Sequence, residues 1–260
     1  MTASKMPFLD TSGPIPFAHR GASARHPENT MAAFSAAIDL GFQYIETDVH
    51  LTRDNMLIAF HDDRLDRMTN HRGRIAELDW ADICKARVGG TDPIPLFTDL
   101  LEAWPHIRIN VDPKSNAAVG PLLKTIRKTN TADRVCLGSF SGRRLKEIRA
   151  DPHLNICTSM SPMEVLSLRL GSLPGAAVVT QIIKPVAKCV QVPTSFKGIR
   201  VVDRAFVDHA HLLNLKVHIW TINTRSEMNR LLDLGVDGIM SDDAALLKSV
   251  FEERNLWWSA

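Results

Sequence analysis

No C-x-x-C pair occurs in this chain: Cys84, Cys136, Cys157 and Cys189 are scattered, and the last three lie in apolar, strand-like runs. Free buried thiols are therefore expected in preference to disulfides or a zinc site. An excess of charge of either sign is also lacking. Thirty-one Lys plus Arg face 29 Asp plus Glu, a formal charge of +2, which is too even for a polyanion-binding surface, so nucleic acid is not an expected partner. The longest uncharged stretch, residues 170–183, is interrupted by Gly171, Pro174 and Gly175. It falls short of the ~20 apolar residues that a spanning helix needs, and no transmembrane segment is expected. Residues 1–18 contain three prolines and lack the apolar centre of a secretory signal, which makes a cytoplasmic location the expectation. Neither an internal repeat nor a low-complexity tract is present.

What is there is a regular alternation. Eight β-type runs, Ile15–Ala18, Tyr44–Val49, Ile107–Val111, Arg134–Leu137, Asn155–Thr158, Cys189–Gln191, Lys216–Thr221 and Gly238–Met240, are separated by helical patterns. The first helix is expected from Asn29 to Leu40, capped by Asn29 or Thr30 and ended by Gly41. Further helices are expected at Ala117–Lys128, Arg143–Arg149, Pro162–Leu170, Arg204–Leu213, Arg225–Leu234 and Ala244–Glu252. At 260 residues, eight such units suggest one closed (β/α)₈ TIM barrel, with an open doubly wound sheet as the alternative. One unit departs from the repeat. A second β-like run, Met56–Phe60, follows Val49, and the charged, turn-rich residues 63–91 read as a small insertion after the second strand. The strand expected within residues 171–188 is the weakest of the set.

In such a barrel, chemistry collects at the C-terminal ends of the strands. His19 and Arg20 follow the first, Glu46 and Asp48 end the second, Asn110, Asp112 and Lys114 end the third, and His61 follows the extra run. Glu46 and Asp48 are two apart, so they share one strand face, and Asn110, Asp112 and Lys114 repeat that spacing. Three carboxylates on one rim would repel unless a cation lies among them, and oxygen donors favour a divalent Mg²⁺ or Ca²⁺ over zinc. Arg20 offers a planar fork and Lys114 a point charge for phosphate oxygens. His19 and His61 can share the work of base and acid in phosphodiester hydrolysis. Asp62 and Asp63 are expected to cap or solvate a turn, with a contact to His61 as the sharper alternative. His106, His209, His211 and His218 read as surface or satisfied core histidines.

These clusters bring a family into view. Over almost its whole length the chain resembles the glycerophosphodiester phosphodiesterases. The resemblance rests on His19-Arg20-Gly21, Pro27-Glu28-Asn29-Thr30, Glu46-Thr47-Asp48-Val49, Thr52-Arg53-Asp54, His61-Asp62, Leu65-Asp66-Arg67-Met68-Thr69, Asn110-Val111-Asp112-Pro113-Lys114, Trp220-Thr221-Ile222-Asn223 and Gly235-Val236-Asp237-Gly238-Ile239. It implies a (β/α)₈ barrel with His19 and His61 as the acid-base pair, and with Glu46, Asp48 and Asp112 as ligands of a divalent cation. Arg20 and Lys114 would contact phosphate. A glycerol hydroxyl would be the nucleophile, by way of a cyclic phosphate. Two departures stand out: Asp112 replaces the usual glutamate, and Asn55 replaces a usual glycine. Trp220 is read either as a wall of the substrate pocket or as a core aromatic. The implied substrate is a small glycerophosphodiester. The rivals are a lysophospholipase D using the same site and a catalytically silent phosphodiester-binding barrel.

Overall fold

Sixteen of the 22 strands and helices named below alternate as strand and helix, and the sheet that the strands build explains why. The computed structural model describes residues 6–173 and 185–258. Parallel strands run β1 (Ile15–His19), β2 (Tyr44–Leu51), β6 (Arg108–Pro113), β7 (Val135–Leu137), β8 (Cys157–Thr158), β9 (Cys189–Val192), β12 (Lys216–Ile219) and β13 (Gly238–Ser241). Neighbours follow chain order, and β13 returns to β1 through Ile15↔Gly238 and Phe17↔Met240. The Ser159↔Cys189 bridge joins β8 to β9 and closes the eight-stranded barrel. All eight strands expected from the sequence are present.

Helices α1 (Met31–Asp39), α4 (Val119–Thr129), α5 (Gly142–Arg149), α6 (Pro162–Gly171), α7 (Arg204–Leu212), α8 (Arg225–Leu234) and α9 (Ala244–Glu253) cover the outside. Their apolar stripes, such as Val119, Leu122, Leu123 and Ile126, are buried. The helix starts follow from capping chemistry. Thr30 accepts from the Ala33 N–H, and Ser161 with Glu164 forms a capping box at α6; each such cap contributes about 1 kcal/mol. Inside the barrel, Phe17, Tyr44, Cys136, Cys157, Cys189 and Met240 pack with Phe8 from the N-terminal segment. The Tyr44 hydroxyl donates to the Phe8 carbonyl at 2.6 Å.

The excursion after β2 begins at β3 (Leu57–Ala59), which pairs antiparallel with β2. It continues through α2 (Trp80–Ile83) and the short pair β4 (Arg87–Val88) and β5 (Asp92–Pro93). Its own core is built from Ile58, Phe60, Leu65, Ile75, Ile83, Ala86, Val88 and Ile94. Helix α3 (Phe97–Ala103) then restores the repeat; it was not among the expected helices. A small hairpin, β10 (Ser195–Phe196) with β11 (Ile199–Arg200), follows β9. Most of the weakly patterned stretch 171–188 lies outside the described residues. Among the described residues, no helix is long and apolar enough to cross a membrane.

Candidate active site

Strand register assembles the site. The period of two puts Glu46 and Asp48 on the inner face of β2. Pairing then sets His19 beside Glu46, Glu46 beside Asn110, and Asp48 beside Asp112. Directly after β1 the chain turns through left-handed Arg20 (φ 54) and Gly21 (φ 82). A Cβ on Gly21 would stand 2.6 Å from the Ala33 carbonyl carbon, so only glycine lets α1 approach this closely. The turn is held by the Arg20 N–H, which donates to the Glu46 carbonyl at 3.0 Å and to Glu46 Oε2 at 3.2 Å.

Each of the two expected histidines has a carboxylate behind it. His19 Nδ1 donates to Asp242 Oδ1 at 2.6 Å, and its Nε2 lies 3.6 Å from Glu46 Oε2. Burial alone would lower the His19 pKa, but Glu46 and Asp242 outweigh it and hold the imidazole above its ordinary value. Burial likewise works to raise Asp242, yet its bonds from His19, Asn223 and Ser23 bring it down to about 2. His61 Nδ1 donates to Asp62 Oδ1 at 2.7 Å. Asp62 therefore contacts the histidine instead of merely capping a turn. Arg67 grips Asp62 with two bonds, of 2.6 and 2.9 Å, and holds its carboxyl at about 2. The Arg67 guanidinium also reaches Glu28, which in turn bonds Arg20 at 3.0 Å. One ionic chain thus links His61 to Arg20.

The carboxylates are gathered around an ammonium. Lys114 Nζ lies 2.7 Å from Asp48 Oδ1 and 2.9 Å from Asp112 Oδ2, while Arg20 Nε lies 3.3 Å from Asp48 Oδ2. Arg20 and Lys114, expected from the sequence as anion-binding groups, are here engaged with acids. Burial pushes Asp48 upward, but Lys114 and Arg20 prevail and hold it below its ordinary value. Glu46 behaves oppositely, pushed up to about 7 by burial and by the Asp48 charge. Asp112 is also raised, chiefly by burial, and its Oδ1 is buried without a hydrogen-bond partner.

This donor set fits a hard cation. Glu46, Asp48 and Asp112 offer oxygen alone, one of those oxygens is unpartnered, and burial holds two of the three carboxyls above their ordinary pKa. Among the described residues, the three do not bring one oxygen each to within 4.8 Å of one another, and the Lys114 ammonium lies between Asp48 and Asp112.

Several members of the constellation carried no catalytic or ligand role in the sequence. Asn29, left-handed at φ 58, is buried; its amide donates to Asp48 Oδ2 at 3.2 Å, and its oxygen accepts from Thr47. Glu28, Arg67 and Asp242 are the others. Asp242 could have been found, since Ser241-Asp242-Asp243 is a polar cluster directly after an apolar strand, the same signal that marked His19. Trp220 follows β12 and is half-buried, edge-on to Phe140 with the ring centroids 5.6 Å apart. Phe140 itself is 65% exposed. Of the histidines read as surface or satisfied, His218 departs from that expectation: it is fully buried, and its Nε2 has no partner. The Nε2 of buried His209 has none either.

Residues 19–246 match the sequence model of the glycerophosphoryl diester phosphodiesterase family. The chain is 38% identical over 257 residues to Probable glycerophosphodiester phosphodiesterase 2 of Mycobacterium tuberculosis, covering 98% of this chain and 97% of that relative. A solved Silicibacter pomeroyi protein assigned to the same class of diesterase superposes with TM-score 0.80 at 21% identity, covering 98% of this chain and all of the other. An Oleispira antarctica phosphodiesterase, solved in complex with the product sn-glycerol-3-phosphate, superposes with TM-score 0.75 at 21% identity, over 92% of this chain and 97% of the other.

Proposed function

Because the chain belongs to the glycerophosphoryl diester phosphodiesterase family, we propose that it hydrolyses glycerophosphodiesters to glycerol 3-phosphate and an alcohol, with His19 and His61 as the acid-base pair. One observation carries this assignment of roles. Both imidazoles donate Nδ1–H to a carboxylate, Asp242 or Asp62, which leaves each Nε2 as the nitrogen available for proton transfer. The glycerol hydroxyl next to the phosphate attacks phosphorus while one imidazole takes its proton. The bond to the departing alcohol breaks as the other imidazole, protonated, donates to the leaving oxygen, and a cyclic phosphate results. With the proton roles exchanged, water opens the ring to glycerol 3-phosphate. No protein nucleophile is required.

A divalent cation, Mg²⁺ or Ca²⁺, held by Glu46, Asp48 and Asp112 would polarise a phosphate oxygen and neutralise the charge that grows on it. Lys114 spends two of its three N–H donors on Asp48 and Asp112 and keeps one for phosphate. Arg20, held by Glu28 and Asp48, would contribute its remaining N–H donors to phosphate. Trp220 and Phe140 form an apolar wall for the head group or the glycerol carbons.

A lysophospholipid presents the same diester with an acyl chain added. That second reading is favoured by exposed Phe140 and Met163, which follow the C-terminal ends of β7 and β8. The test is release of choline from glycerophosphocholine and from lysophosphatidylcholine with added Mg²⁺ or Ca²⁺, using wild type, His19→Ala and His61→Ala. Expected is release by wild type alone, with diester binding retained in both variants. Release from neither substrate, with binding retained in all three proteins, would make the chain a silent phosphodiester-binding barrel.

A further inference from the structure

The three buried cysteines lie far apart in the sequence and together in space. Cys136 on β7, Cys157 on β8 and Cys189 on β9 point inward, and their sulfurs all lie within 4.8 Å of one another, with Cys136 and Cys189 3.8 Å apart. All three are free thiols and are 0–1% exposed. With metal–sulfur bonds of about 2.3 Å, sulfurs on a tetrahedral ion stand about 3.8 Å apart, and slightly farther on a trigonal one. The Cys136–Cys189 pair already has that spacing, and Cys157 lies within 4.8 Å of both. On β12, which pairs with β9, His218 is fully buried and leaves its Nε2 without a partner.

We infer that Cys136, Cys157 and Cys189 form a three-sulfur site for a closed-shell thiophilic cation, Zn²⁺ or Cu⁺, separate from the carboxylate site. Thiolate donors select such ions and are poor ligands for Mg²⁺ or Ca²⁺, which the oxygen donors on the rim suit. Binding forms three metal–sulfur bonds in place of S–H bonds, and each proton so displaced leaves to solvent.

The position explains what the ion does. β8 is two residues long, and one bridge, Ser159↔Cys189, joins it to β9. The flanking bonds Lys188 N–H to the Thr158 carbonyl and Met160 N–H to the Cys189 carbonyl, of 3.0 and 2.9 Å, complete the seam. An ion shared by Cys157 and Cys189 staples the barrel where it closes. Cys136 pairs in register with Asn110, whose side chain accepts from Gln191 at 2.8 Å, and Asn110 pairs in turn with Glu46. Cys136 therefore shares a register row with Asn110 and Glu46.

The test uses the full chain, reduced and freed of metal by chelation, and titrated with Cd²⁺ as a spectroscopic probe and, separately, with Zn²⁺ and Cu⁺. Expected is thiolate-to-cadmium absorbance that saturates at one equivalent, survives excess Ca²⁺ and disappears in Cys157→Ala and Cys189→Ala, but persists in Cys84→Ala. Zn²⁺ or Cu⁺ added to the metal-free protein should raise the thermal midpoint of wild type, and that of Cys157→Ala to a smaller extent, and should slow later growth of the cadmium absorbance; the ion that raises the midpoint more identifies the occupant. Should an alanine variant not fold, Cys157→Ser, closer in volume, takes its place. No thiolate absorbance in wild type, or absorbance that depends on Cys84, would overturn the site and leave the three thiols as core packing. The absorbance senses sulfur alone, so the outcome is independent of any cation at Glu46, Asp48 and Asp112.

Discussion

Asp242→Asn is the sharpest probe of the proposed acid-base pair, because it changes a charge and a hydrogen-bond sense without changing shape. Asp242 accepts from His19 Nδ1 at 2.6 Å, Asn223 Nδ2 at 2.7 Å and Ser23 Oγ at 3.1 Å. A carboxylate only accepts, so His19 must carry its proton on Nδ1 and present Nε2 to the substrate. Asparagine can turn its NH₂ toward Nδ1 and reverse the tautomer. The Asp242 side chain is 35% exposed, so its charged hydrogen bond belongs near the lower end of the usual range, about 1.5 kcal/mol, or roughly tenfold in rate. Loss of the correct tautomer adds to this, up to the ~10²–10⁴ that a positioned general acid or base supplies. The expected result is a fall in kcat of roughly a hundredfold, with KM little changed. Because Asp242 would act only through His19, the double variant with His19→Ala should be no slower than His19→Ala alone. Steady-state kinetics on glycerophosphocholine decide the matter. A kcat within about threefold of wild type, or additive losses in the double variant, refutes the reasoning.

Two further predictions concern charge and stability. Lys114→Met leaves Asp48 and Asp112 buried without their shared ammonium, and should destabilise the chelator-treated protein by about 3 kcal/mol. The thermal midpoint should fall by roughly 6–12 °C and partly recover with Ca²⁺, as circular dichroism would show; an unchanged midpoint would mean that the ammonium does not neutralise the pair. Asp237 accepts from Lys216 Nζ at 2.7 Å, His211 Nε2 at 2.7 Å and Val217 N–H at 3.0 Å. Burial would raise its pKa, but these donors outweigh it and hold the carboxyl low. A depressed folded pKa stabilises the protein above the unfolded value near 3.9 and ceases to do so as pH falls through the folded value. Two of the donors are on exposed side chains, so Asp237→Asn should cost only about 1 kcal/mol at pH 7. In urea titrations that gap should close toward pH 3; a gap independent of pH would exclude the ionic contribution.

Much of the fold could be read from one dimension because strand and helix periods are local. The eight strands fall where alternation and turn residues put them, and α1 starts at the Thr30 cap. Helix α3 was missed although Phe97, Leu100 and Leu101 have helical spacing, because it starts at Leu96 without a side-chain cap and follows an irregular excursion. Arg20, Glu46, Asp48, Asp112 and Lys114 were legible as a cluster because the i, i+2 rule fixes which side chains share a strand face. The partners of these residues were not. Nothing near Lys114 in the sequence shows that its ammonium lies between Asp48 and Asp112, since that depends on the register of β2 against β6.

By itself, then, the sequence determined the alternation of elements, the face each strand residue presents, and the polar groups that end the strands. Barrel closure decided the rest. His19 and Asp242 are 223 positions apart and meet because β13 returns to β1. Cys136 and Cys189 are 53 apart and meet because the interior of a closed barrel is narrow enough for side chains from non-adjacent strands to touch. Local propensity acts over a few residues; contacts across a barrel depend on shear and register, which are properties of the whole sheet.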